Sequence, residues 1–193
     1  MNAPLMLTLA FAAALLAGLA VRFWLSSRQV RHVAQHRDEV PAAFAGTVSL
    51  KSHQRAADYT VAKSRLGLLE TAFAAAVLLG WTLLGGLDAL NRVLLGALGP
   101  GMGQQLALLA AFALIGGLLE LPFSLYQTFV LEERFGFNRM TLRLWVTDLL
   151  KAVIVGAVIG LPIAALILWL MGAAGSWWWL WAWGVWMAFN LLL

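Results

Sequence analysis

The run AVIVGAVIGLPIAALILWLM, residues 152 to 171, carries no charged side chain and is long enough to cross a bilayer. At 1.5 Å rise per residue, about 20 apolar residues cover a hydrocarbon core of ~30 Å. Ala152, Gly156, Gly160 and Ala164 recur every four residues along it. Such a stripe lets another helix approach closely in lipid, where no hydrophobic effect drives helices together. Pro162 lies beside the stripe and removes one backbone donor, so a kink is expected there.

Moving outward, four more apolar runs follow the same logic: Pro4 to Val21, Leu66 to Leu87, Met102 to Leu119 and Trp177 to Leu193. Glu70 interrupts the second near its start, and Gln104 and Gln105 open the third. The 193 residues are 62% hydrophobic and 11% charged, with a mean hydropathy of +0.85, too apolar for a water-soluble domain. The expected fold is therefore all-α: one polytopic membrane domain over residues 1–193 with about five transmembrane helices. No basic residue precedes Pro4, so the first run lacks the n-region of a cleaved signal peptide and is read as a retained helix. The chain has no cysteine, which excludes disulfides, thiolate zinc sites and a cysteine nucleophile.

The charges are unevenly distributed between the runs. Arg22, Arg28, Arg31, Arg37, Lys51, Arg55, Lys63 and Arg65 lie between the first and second, and Arg134, Arg139, Arg143 and Lys151 between the third and fourth. Arg92 alone separates the second from the third, and no basic residue separates the fourth from the fifth. Positive residues stay on the cytoplasmic side, so the N-terminus is expected outside, with connections 22–65 and 120–151 cytoplasmic. The setting would be a bacterial inner membrane or its equivalent. Although the pI is near 10.1, these basic residues flank apolar spans, where they set topology and meet anionic lipid; nucleic acid is not an expected partner. Trp177, Trp178, Trp179, Trp181, Trp183 and Trp186 open the last run on the outer side, where indoles anchor at the interface.

Between the third and fourth runs, LPFSLYQTFVLEERFGFNRMTLRLWVTDLLK, residues 121 to 151, is aromatic and charged, neither apolar enough to span nor polar enough for a plain loop. Phe123, Tyr126, Phe129 and Val130 make an apolar helical face after Pro122. Gly136, within Phe135-Gly136-Phe137-Asn138, can adopt positive φ and end that helix. A second helix, capped by Asn138 or Thr141, would run to Lys151, giving a helix–turn–helix elbow. Glu132 and Glu133 point about 100° apart on a helix and cannot face one atom as an acid/base pair; salt bridges to Arg134, Arg139 or Arg143 are the expected role. Glu70 and Glu120 stand at the cytoplasmic ends of their spans, where a carboxylate either faces a polar cavity or cation or reaches the interface.

No catalytic constellation emerges. His32 and His36 share a helical face, but position 33 is Val33 rather than the glutamate a zincin motif requires, and His53 stands alone. The catalytic and metal residues read from the sequence are therefore none.

The elbow resembles the CAAX prenyl protease 1 family of M48 membrane zinc metallopeptidases. The similarity is carried by Pro122, Phe123, Tyr126, Thr128, Phe129, Val130, Glu132, Glu133, Phe135, Gly136, Phe137, Asn138 and Thr141, then Asp148 and Lys151. A second matching stretch, Ala57-Asp58-Tyr59-Thr60 with Ala62-Lys63, leads into the second span. With the order of spans, the resemblance covers nearly the whole chain. It implies a fold in which seven long helices enclose a water-filled chamber, and an activity that trims CAAX-box proteins after prenylation. The family's zinc, held by an HExxH motif and a later glutamate, belongs to residues that have no counterpart here, so zinc is expected in a C-terminal part. This chain is expected to be inactive alone, a fragment of chamber wall whose elbow residues brace a catalytic domain. Its partners would be the bilayer, that catalytic part and, in the complete enzyme only, a peptide or prenylated protein. The chain stops inside an apolar run, as expected of a piece of a longer protein. The competing expectation is a non-catalytic scaffold or a channel or transporter subunit.

Overall fold

A computed structural model describes residues 3–192, and all regular structure among them is helical. The six α-helices are α1 (Ala3–Gln35), α2 (Leu50–Thr82), α3 (Gly86–Leu98), α4 (Met102–Tyr126), α5 (Leu142–Ala173) and α6 (Trp178–Leu192). A π-helical segment, Gln127–Glu132, prolongs α4. By length and composition, α1, α2, α4 with its π segment, and α5 can each cross a membrane. The 15 residues of α6 rise only about 22 Å. Leu193, the last residue of the fifth apolar run, lies outside the described residues.

The helices overrun the apolar runs, because a charge ends contact with lipid without ending a helix. The first run stops at Val21, yet α1 continues through Arg22, Arg28 and Arg31 to Gln35, and its 33 residues extend about 50 Å. Similarly, α2 begins at Leu50, where the Ser49 side chain accepts from the Ser52 N–H at 3.2 Å. The expected connection 22–65 is thus mostly helix, and only residues 36–49 join α1 to α2, with a 3₁₀ turn at Ala42–Phe44. At its far end α2 stops at Thr82 rather than Leu87. Gly85 turns the chain at φ 79°, and a Cβ on Gly86 would meet the Gly80 carbonyl oxygen at 2.8 Å.

Residues read as a plain connection form α3. Asp88 and Arg92 pair across one of its turns at 3.1 Å, and Gly99 ends it at φ 71°. The elbow's arms are likewise not separate short helices: the first is the end of α4, the second the opening of α5. Pro122 sits inside α4 and Pro162 inside α5, and both helices continue past them.

The chain divides into two compact units. One holds the chain up to Gly86 with Glu120–Arg139; the other holds Leu87–Leu119 and the chain from Met140 onward. In the first, α1 packs on α2, and α2 meets the π segment. Its buried apolar residues are Ala57, Leu66, Ala75, Leu131 and Phe135. In the second, α5 packs on α6, and buried Gln104 donates to the Asn91 side-chain oxygen at 2.7 Å, tying the start of α4 to α3. Large apolar side chains elsewhere are widely exposed, the surface expected of helices solvated by lipid.

Candidate functional site

The π segment and the turn behind it, residues 127–138, lie against the first half of α2. Helix α4 ends in a Schellman motif: the Gly136 N–H donates to the Glu133 carbonyl at 2.9 Å and the Phe137 N–H to the Glu132 carbonyl at 2.9 Å, with Gly136 at φ 68°. Asn138 extends the lock, its side chain donating to Glu133 Oε2 at 3.0 Å. These bonds release the aromatic pair Phe135 and Phe137 on either side of the glycine.

Both rings grip α2. Tyr59 stands edge-on to Phe135 at 5.3 Å and to Phe137 at 4.9 Å, geometries that aromatic quadrupoles favour. The Arg55 guanidinium donates through Nη2 to the Phe135 carbonyl oxygen and lies 5.8 Å from the centre of the Phe137 ring. A Cβ on Gly136 would come within 2.6 Å of the same Nη2, so glycine serves both the turn and the approach of Arg55. Lys63 Nζ lies 5.7 Å from the Tyr59 ring centre, and the Arg134 guanidinium 5.9 Å from the Phe135 ring centre. Higher on the pair, Phe73 of α2 meets Phe123 of α4 at 5.1 Å.

Behind the clamp, Arg37 reaches α2 with two parallel bonds to Asp58, Nε to Oδ1 at 2.7 Å and Nη2 to Oδ2 at 2.9 Å, and bonds Asp38 at 3.0 Å. Gln54 donates to Asp38 at 2.7 Å. Asp58 lies on the polar extension of α2, before the apolar run that starts at Leu66. Its carboxyl is held below the usual carboxylate range, first by the Arg37 hydrogen bonds and also by the charges of Arg37 and Arg134, while desolvation opposes them. The Arg37 guanidinium is raised correspondingly, chiefly by the same bonds.

Among the sequence-selected residues, Phe135, Gly136 and Phe137 therefore meet α2 at Arg55 and Tyr59, beside and within the second matching stretch, while Glu132, Glu133 and Asn138 hold the turn that presents them. Among the described residues no ion pair joins Glu132 or Glu133 to Arg134, Arg139 or Arg143. Instead Gln127 donates to Glu132 at 3.4 Å, and Asn138 satisfies Glu133. The expected apolar face divides, with Phe123 and Phe129 half-buried and Tyr126 and Val130 exposed. Phe129 and Val130 lie in the π segment, which alters the helical register from Gln127 onward. Thr141, Asp148 and Lys151 belong to the other unit. Thr141 caps α5 by accepting from the Leu144 N–H at 3.3 Å, while Asp148 and Lys151 pair on the helix surface at 3.7 Å. Pro122 is an exposed interior residue of α4, as is Glu120. Half-buried Glu70 lines a cavity between α1 and α2 that Arg22 also lines. Sequence reading missed Arg37 and Arg55, whose partners are distant in the chain and carry no local spacing signal.

The residues present do not fit a zinc ion. The His32 and His36 rings lie 4.3 Å apart, tilted by 42°, but His36 Nδ1 donates to the His32 carbonyl at 2.8 Å and His53 Nε2 to the His36 carbonyl at 2.9 Å. These rings finish the C-terminus of α1 rather than converge lone pairs on one point. Among the described residues no group of three or more His, Cys, Asp or Glu could hold a metal.

Three similarities bear on this arrangement. A probable CAAX prenyl protease 1 from Schizosaccharomyces pombe is 30% identical over 183 residues, covering 88% of this chain and 38% of that protein. A CAAX prenyl protease 1 homolog from Oryza sativa is 27% identical over 183 residues, covering 83% and 40%. The chain thus spans about two-fifths of the length of these relatives. The crystal structure of S. mikatae Ste24p superimposes with a TM-score of 0.86 at 24% identity over 95% of this chain and 44% of that one, which shows a shared fold. Residues 29–193 match a family described as "CAAX prenyl protease N-terminal, five membrane helices", and to that family this chain belongs.

Proposed function

We propose that this multi-pass membrane chain is the N-terminal membrane part of a zinc metalloendopeptidase resembling the CAAX prenyl proteases. In this reading its helices form part of a chamber wall, and the 132–138 turn, clamped on α2, braces a catalytic part that supplies the zinc. The observation that carries the reading is the clamp itself: Arg55 on the Phe135 carbonyl, and Tyr59 between Phe135 and Phe137. It joins the two stretches that carry the family resemblance, and it consists of positioning contacts rather than of acids, bases or ligands. The chain contributes shape and a polar platform at the end of α2; proton transfer and water activation belong to the catalytic part. The chain alone is inactive. Its N-terminus faces outward, the platform is cytoplasmic, and its partners are the bilayer, the catalytic part and a CAAX-type substrate bound by the complete enzyme.

The test is zinc content and cleavage of a fluorogenic CAAX peptide by the purified chain, with and without a co-expressed C-terminal half from a relative. Zinc and activity are expected only with the added half. Zinc-dependent cleavage by the chain alone overturns the reading, and failure of the halves to associate favours a non-catalytic scaffold. In an active pair, Glu132→Ala and Asn138→Ala are expected to reduce proteolysis with the membrane helices still folded; unchanged cleavage by both removes the bracing role.

A further inference from the structure

Arg22 and Glu70 line one cavity of about 430 Å³ between α1 and α2. The cavity is a groove whose register can be read along both helices: Ala14, Gly18 and Arg22 ascend α1 in steps of four, and Leu78, Ala74 and Glu70 descend α2 in the same steps. Beyond the end of α1 the chain bonds back to α2, Arg37 to Asp58 and His53 to the His36 carbonyl, so the two helices run antiparallel. In an antiparallel pair Arg22 and Glu70, the last of each series, stand at the same end of the groove. Arg22 directly follows the apolar run from Pro4, so this end lies at the polar boundary of the bilayer. From there the groove runs inward over mainly apolar side chains, alanine, glycine and leucine, for about 12 Å, most of the ~15 Å depth of one leaflet.

Two opposite charges at one end of a groove would ordinarily close on each other. Among the described residues no ion pair joins them; they flank the mouth of the groove instead. The half-buried Glu70 carboxylate gains from a cation there, and Arg22 from an anion. A lone anion or a lone cation would leave one of the two unmatched. The floor is mainly apolar, and at Gly18 it is open: a Cβ added there meets nothing within 4 Å. Charge complementarity at the mouth and an apolar slot of leaflet depth together describe one occupant.

We infer that this groove binds a phospholipid with a zwitterionic, primary-amine headgroup: phosphate on Arg22, ammonium on Glu70, and an acyl chain along Gly18 and Ala74. A primary ammonium donates hydrogen bonds to the Glu70 carboxylate, which a quaternary one cannot, and charge-assisted bonds are the strong ones. This inference does not depend on the proposed protease partnership, because every residue it uses lies in this chain.

The experiment delipidates the purified chain and measures lipid retention by native mass spectrometry after exchange with vesicles of phosphatidylethanolamine, phosphatidylcholine or phosphatidylglycerol. One phosphatidylethanolamine per chain is expected, preferred about tenfold over the other two, the factor for one charge-assisted bond. Glu70→Gln abolishes that preference while phosphatidylglycerol is still retained through Arg22. Arg22→Gln lowers retention of all three. Gly18→Leu narrows the floor and lowers retention with both charges intact, while an unchanged apparent Tm shows that the α1–α2 pair is kept; a Cβ at this position meets nothing within 4 Å. Equal retention of the three lipids by the unaltered chain, or retention that none of the variants changes, overturns the site and leaves annular lipid only. Displacement of the lipid by soluble phosphoethanolamine at millimolar concentration overturns the role of the groove floor.

Discussion

At Gly136 backbone geometry and tertiary contact coincide. Its φ of 68° is a conformation that costs an L-residue roughly 1–2 kcal/mol. Its missing Cβ is also what admits the Arg55 guanidinium to the Phe135 carbonyl. Gly136→Ala is therefore expected to lower the apparent Tm of the detergent-solubilised chain by more than the αL penalty alone. Combining it with Arg55→Ala, which removes the clash but also the bond, should add little further loss; full additivity in a double-mutant cycle would separate the turn from the clamp. Asp58 supplies a pH signature. Its folded pKa is depressed by Arg37, so its contribution is present above the unfolded value of ~3.9 and is lost as pH falls through the lower folded value. Acidification through and below pH ~4 should destabilise the unaltered chain more than Asp58→Asn, followed by thermal melts across that range. The glycine was legible in the sequence, because a Gly after a charged helix end signals a positive-φ stop. Arg55 was not, because its acceptor is a backbone carbonyl 80 positions away, and any carbonyl looks alike in sequence.

Among the elements, α3 shows where apolar-run reading reaches its limit. Its 13 residues are too few to span, and the search for long runs passed over them. The signal was present in Leu87, Leu90 and Leu94 at helical spacing, with half-buried Leu90 and Leu94 on one side and paired Asp88 and Arg92 exposed on another. Gln104, read as a soft opening to a span, is 6% exposed and donates to Asn91. Removing Asn91 strands a buried donor, so Asn91→Leu should destabilise by about 1–3 kcal/mol, whereas Asn91→Leu with Gln104→Leu should recover most of that loss. Apparent Tm in detergent measures both, and a double variant no better than the single would deny the bond its role. The apolar runs located α1, α2, α4 and α5 because lipid demands length and apolarity. They misjudged the ends, because arginine, glutamine and alanine are good helix formers and α1 carries its helix well past Val21.

Across the whole molecule, the helical extensions give the charge asymmetry a structural basis. Arg28, Arg31, Lys51 and Arg55 sit on continuous helices that emerge from the apolar runs of α1 and α2, close to the membrane ends, where basic residues govern topology. By contrast, Arg92 on the short α3 is paired with Asp88 and presents little net positive charge. Both observations favour the same orientation, with the α1–α2 connection and the 132–138 turn on the cytoplasmic side. The cysteine-free sequence makes this directly measurable, since a single introduced thiol is the sole target of a maleimide. Exposed Ala43 lies in the α1–α2 connection and exposed Pro100 between α3 and α4. In intact bacterial cells, a membrane-impermeant maleimide should label Pro100→Cys at once and Ala43→Cys only after permeabilisation. The reverse pattern would invert the chain and place the Arg55 clamp outside, where a cytoplasmic catalytic part could not reach it. Labelling of both in intact cells would mean mixed insertion, and the count of basic residues would then be insufficient to orient this chain without its partner.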